Sequence, residues 1–147
     1  LLQGDDLFKL SYGYKLDGRG NWISTNINVK WNDLFSRTCG VLIDEAKEED
    51  YKSRLDSYVS HIIKLDYPKY ENISVFSDNF LSIIIQLKAL GLIEKSIKKR
   101  SLKDTSTYWK LTQKGDNLIT KLRAIPKDKN PDSSDFQSAP IIESKPS

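Results

Sequence analysis

VFSDNFLSIIIQLKALGLIEKSIKKRSLKDTSTYWKLTQKGDNLITKLRAI, residues 75–125, decides the fold. Its first half carries Phe80, Leu81, Ile83, Ile84, Ile85, Leu87 and Leu90, apolar positions covering most of the circumference of a helix that Ser77 is expected to cap. Gly91 follows the last of them and ends the helix, because glycine enters the left-handed conformation of a helix stop without a Cβ penalty. Two strands are expected next, over about 92–100 and 107–111, joined by the turn Ser101-Leu102-Lys103-Asp104-Thr105-Ser106. Thr112 then caps a last helix whose Leu118, Ile119 and Leu122 face inward. The order is helix, glycine, strand, basic turn, strand, helix.

Upstream, Phe8, Leu10, Tyr12, Tyr14 and Leu16 alternate with mostly polar neighbours, and Ile23, Thr25, Ile27, Val29 and Trp31 do the same after Asp17-Gly18-Arg19-Gly20. Alternation is the signature of half-buried strands, so residues 7–31 read as a β-hairpin. The period then changes to helical with Trp31, Leu34, Phe35, Thr38 and Leu42. Asn32 or its neighbour is the expected cap, and Gly40 the interruption. The acidic run 44–50 suits the start of a further helix, which places Tyr51, Leu55, Tyr58, Val59 and Ile62 on one face. Pro68 stops it before a short extended piece at 73–75. From Pro126 onward periodicity vanishes among Pro, Ser, Asp and Lys, and 126–147 is expected to be a disordered tail.

A chain of 147 residues suffices for one domain with its own core, placed here over 1–125. It begins at Leu1 rather than Met, so it is expected to be a piece of a longer protein. No apolar run approaches the roughly 18 residues that cross a bilayer. Cys39 is the single cysteine, which excludes an internal disulfide and a thiolate metal cluster and fits a reducing cytoplasm. The net charge of +3 is unevenly spread. Between residues 94 and 123, nine cations face only Glu94, Asp104 and Asp116, so this segment holds about +6 and the remainder about −3.

Little here supports catalysis. His61 is the only histidine and lies on the polar face of its helix. Cys39 has no histidine near it in sequence and reads as a small packing residue. Asp44, Glu45, Glu48, Glu49 and Asp50 lack calcium-loop spacing, and Gly18-Arg19-Gly20 sits in a hairpin turn, not in a phosphate loop. No enzyme, metal or cofactor is expected. Trp22, Trp31 and Trp109 are expected to pack toward the helices.

The helix, the Gly-Leu-Ile that follows it, the hairpin and the segment Tyr108-Trp109-Lys110-Leu111-Thr112-Gln113-Lys114-Gly115 resemble the winged-helix half of bacterial regulators of the MarR and PadR kind. Those commonly close the wing with aromatic-x-Leu-Thr-x-x-Gly, and the likeness covers about 75–123. The upstream residues Phe8-Lys9-Leu10, Trp22 and Trp31-Asn32-Asp33-Leu34-Phe35 are similar to the C-terminal segment of a prokaryotic multidomain family whose N-terminal half is Rossmann- or TIR-like. That family has Thr before the tryptophan as a cap, where this chain has Lys30. The fold implied is α+β: a winged helix-turn-helix with an extra N-terminal β-hairpin and a C-terminal helix.

In such a fold the helix 77–90 would be the recognition element. Asn79, Ser82 and Gln86 form one stripe on it, and Asn and Gln can pair with adenine in a major groove. Lys88 is its single cation, and Asp78 opposes phosphate. The stripe serves equally as the solvated side of a buried helix. At the wing, Lys98, Lys99, Arg100 and Lys103 can reach phosphates, protect a strand edge or meet an acidic protein. Two functions follow. One is a nucleic-acid-binding module, with DNA ahead of RNA. The other is a protein-interaction or dimerisation module attached to an effector domain upstream.

Overall fold

The computed structural model describes residues 1–16 and 19–125. Its elements are β1 (Leu7–Leu16), β2 (Arg19–Lys30), α1 (Trp31–Thr38), a 3-10 turn (Cys39–Leu42), β3 (Ala46–Lys47), α2 (Glu48–Ile63), β4 (Tyr70–Val75), α3 (Ser77–Ala89), β5 (Ile93–Lys95), β6 (Tyr108–Leu111) and α4 (Gln113–Arg123). The fold is mixed α+β. The strands form two antiparallel three-stranded sheets, in the orders β2-β1-β4 and β3-β6-β5. Among the described residues no helix is long and apolar enough to cross a membrane.

Alternation governs the first sheet. Leu10, Tyr12 and Tyr14 are buried on one face, and their cross-strand partners there include Ile27 and Ile23. The same parity corrects the expectation for Trp22. Because Ile23, Ile27 and Val29 share the core-directed parity, Trp22 must point to the opposite face, and it is 49% exposed. There Lys15 Nζ lies 5.4 Å from its ring centroid. Phe76 and Trp22 also pack so closely on Gly13 that a Cβ at that position would collide with them. Trp31 and Trp109 are buried as expected.

The extended piece expected at 73–75 is the longer strand β4, which pairs with β1 through Tyr12 and Val75 and turns the hairpin into a sheet. Asn72, at φ 53, accompanies the shift of register between Gly13 and Lys15. That long-range pairing has no local sequence signal. Tyr14 and Tyr70 stack at 3.6 Å between centroids, and Tyr67 stacks on Tyr70 at 4.8 Å.

Two caps differ from expectation. Phe76, not Ser77, is the N-cap of α3, and Lys30, not Asn32, that of α1, in both cases without a side-chain cap bond. For α1 the N-terminal segment replaces the cap, since the N–H groups of Trp31 and Asn32 donate to the carbonyls of Asp6 and Gly4. α1 ends at Thr38, directly before the 3-10 turn that contains Gly40. Thr112 does cap α4, its hydroxyl accepting from Gly115 N–H at 3.0 Å, and Gly91 takes φ +73 after α3. The tail expected to be disordered, 126–147, lies outside the described residues.

One core joins these pieces. Trp31, Leu34 and Phe35 of α1 meet Tyr51, Leu55 and Val59 of α2, with Ile83 and Leu87 of α3, Ile93 of β5, Trp109 of β6 and Ile119 of α4.

Candidate nucleic-acid interface

The stripe foreseen on α3 is built differently from a free reading face. Asn79 is half-buried, and its side-chain carbonyl accepts from Ser11 N–H at 3.0 Å. Gln86 donates through Nε2 to Leu2 O at 2.8 Å, which holds the N-terminal segment. Ser82 is exposed, but its hydroxyl donates to the Asp78 carbonyl one turn back at 3.1 Å. Lys88 is exposed, with Nζ 6.0 Å from the Trp109 centroid, on a ring that Lys95 approaches at 5.9 Å. The large apolar side chains α3 shows to solvent are Leu81 and Ile85, 55% and 56% exposed and one turn apart.

The β5–β6 hairpin is shorter than the strands expected over 92–100 and 107–111. β5 ends at Lys95, because the loop satisfies itself locally after one further ladder bond, Ser96 N–H to Tyr108 O. Lys98 N–H turns back to Ser96 Oγ. Arg100 folds inward, with Nη2 2.7 Å from Glu45 Oε2 and its guanidinium 3.5 Å above the Tyr108 ring. Glu45 also accepts from Ser96 Oγ at 2.6 Å. The Ser96 hydroxyl first, and the Arg100 guanidinium second, hold the Glu45 carboxyl below the usual carboxylate range. On the far side Asp104 accepts from Tyr108 Oη and Ser106 N–H, in that order of effect, and is lowered likewise.

The four basic residues of the β5–β6 loop therefore divide. Arg100 is an anchor of the loop. Lys98, Lys99 and Lys103 are exposed and enter no ion pair among the described residues. Beside them Ile97 and Leu102 are almost wholly exposed, at 92% and 101%. The anchoring role of Glu45 and Tyr108 was not foreseen from sequence; Glu45 sits in an acidic run 51 residues from Ser96, and nothing local links them. Among the described residues no three His, Cys, Asp or Glu side chains converge to hold a metal.

No protein-family model, curated protein or solved structure matches this chain.

Proposed function

We propose that residues 1–125 form a winged-helix module that holds the phosphate backbone of duplex nucleic acid, DNA ahead of RNA, without reading bases. The observation that carries this reading is the wing tip. Lys98, Lys99 and Lys103 stand exposed and unpaired among the described residues, on a loop that Arg100, Glu45 and Tyr108 anchor at its base. Long cations at a loop tip release counterions from a duplex without desolvating a core. The winged-helix assignment is supported by the sheet order β3-β6-β5 and by α1, α2 and α3 preceding the β5–β6 hairpin. The absence of base reading is supported by the bonds that occupy Asn79, Ser82 and Gln86.

The test is fluorescence anisotropy with random-sequence duplex DNA across a salt series. Lys98→Glu with Lys99→Glu should lower affinity at least tenfold at low salt. It should also flatten the slope of log K against log salt by about 0.9 for each phosphate that is no longer neutralised. An unchanged affinity overturns the reading.

A second reading is favoured by Leu81 and Ile85 on α3: a module that docks a protein or a second copy of itself. A dimer in light scattering that Leu81→Glu dissociates, with no salt-sensitive duplex binding, selects this reading over the first.

A further inference from the structure

Away from the wing, three helices bring together three arginines distant in sequence. Arg37 of α1, Arg54 of α2 and Arg123 of α4 line a cavity of about 460 Å³. Arg37 and Arg54 also line a second cavity of about 360 Å³, which Ser57 and His61 help to close. Sharing two walls, the cavities form one groove, and among the described residues no Asp or Glu lines either part.

One carboxylate stands beside the groove, next to its lining residue Tyr58. Asp33, one turn before Arg37 on α1, accepts from Tyr58 Oη at 2.6 Å. Asp50, one turn before Arg54, makes no ion pair with it, and none of the three arginines has an ion-pair partner among the described residues. Arg123 is nevertheless held in place, donating through Nη1 to Ser36 O at 2.8 Å. Three guanidinium groups around one groove outweigh the single charge of Asp33 beside it, so among the described residues the groove keeps a positive excess that attracts an anion. Guanidinium presents planar paired donors that match phosphoryl oxygens two at a time. One end of the groove is aliphatic, with Val41 40% and Ile43 59% exposed.

We propose that this groove binds a small organic polyphosphate, of which a nucleoside di- or triphosphate is the class. Adjacent phosphoryl groups lie between Arg37 and Arg54, with Arg123 as the third cation, and the base rests on Val41 and Ile43. Inorganic polyphosphate shares the first part of that chemistry and lacks the second. The groove borders the β5–β6 loop at Ile43, which also lines a hollow with Ser96, Ile97 and Lys98, but its arginines are not part of that loop and the proposal does not depend on the duplex-binding reading.

Calorimetric titration of the chain with ATP, ADP, adenosine and pyrophosphate tests it. ATP and ADP should bind saturably, adenosine at least tenfold more weakly than ADP, and pyrophosphate more weakly than ATP. Arg54→Gln and Arg37→Gln should each weaken ATP at least tenfold with an unchanged thermal melt, since both side chains are exposed. Arg37→Lys, which keeps the charge and loses the paired donors, should fall between. Lys98→Glu with Lys99→Glu should leave ATP binding intact. No saturable ATP binding at millimolar concentration overturns the proposal, as does ATP binding indifferent to Arg54→Gln. Pyrophosphate binding as tightly as ATP overturns the nucleotide class. If ATP does not bind while Arg54→Gln lowers duplex affinity, the arginines belong to a nucleic-acid surface and the proposal falls.

Discussion

Asn79 and Ser11 lie 68 residues apart in the chain, yet the Asn79 side-chain carbonyl accepts from the Ser11 backbone N–H at 3.0 Å. The Ser11 carbonyl in turn accepts from Phe76 N–H at 3.2 Å. Both backbone groups of one β1 residue thus bind the first turn of α3, and the end of that helix which would enter a groove is a joint with the N-terminal sheet. Asn79→Ala leaves the Ser11 donor without its partner in a half-buried place. Urea denaturation should show a loss of about 1 kcal/mol. Duplex affinity at fixed salt should be unchanged, because the wing is untouched.

Gly115 is a stronger constraint. A Cβ there would run into the Leu92 carbonyl, the same oxygen that accepts from Thr112 N–H at 3.0 Å. The obstacle is backbone and cannot swing aside, so α4 must shift or the bond must break. Gly115→Ala should therefore cost about 2 kcal/mol or more despite its better helix propensity, seen as a lower melting temperature. A neutral or raised melting temperature would refute this packing constraint.

The anchor of the β5–β6 loop should be sensitive to acid. In the folded chain Glu45 titrates below its unfolded value, chiefly through the Ser96 hydroxyl and then Arg100. Its contribution to stability is thus full above the ordinary carboxylate range and is lost as pH falls through the folded value. The stability difference between the unmodified chain and Glu45→Gln should be largest near neutrality and shrink as pH falls below the ordinary carboxylate range. Amide exchange over residues 96–100 should quicken in the same interval. A difference that stays constant with pH would exclude the ion pair as the anchor.

Cys39 should be inert. It is fully buried beside Thr38 and Tyr51, and burial pushes its thiol up to about 12. At about pH 8 the thiolate population is then roughly a thousandfold below that of an ordinary cysteine near 8.5. Iodoacetamide should label the native chain slower by at least that factor and label it promptly in denaturant. Rapid native labelling would show that this part of the core opens.

What the amino-acid sequence determined by itself was local. The period-2 runs at Phe8–Tyr14 and Ile23–Val29, the helical stripe Tyr51–Leu55–Tyr58–Val59, the stop at Gly91 and the cap at Thr112 all act within a few residues of chain, where side-chain period and backbone freedom suffice. The α+β class followed from them. Partnership over long separations was decided only in three dimensions. β4 joined β1, Asn79 and Gln86 turned to the backbone of residues 11 and 2, Glu45 drew Arg100 inward, and Arg37, Arg54 and Arg123 met from three helices. A polar side chain carries no mark of its partner, because hydrogen bonds and ion pairs depend on positions that packing of the whole chain sets. So the basic stretch at 98–103 was legible as charge, and only the tertiary structure separated three lysines, unpaired among the described residues, from the arginine that holds the loop.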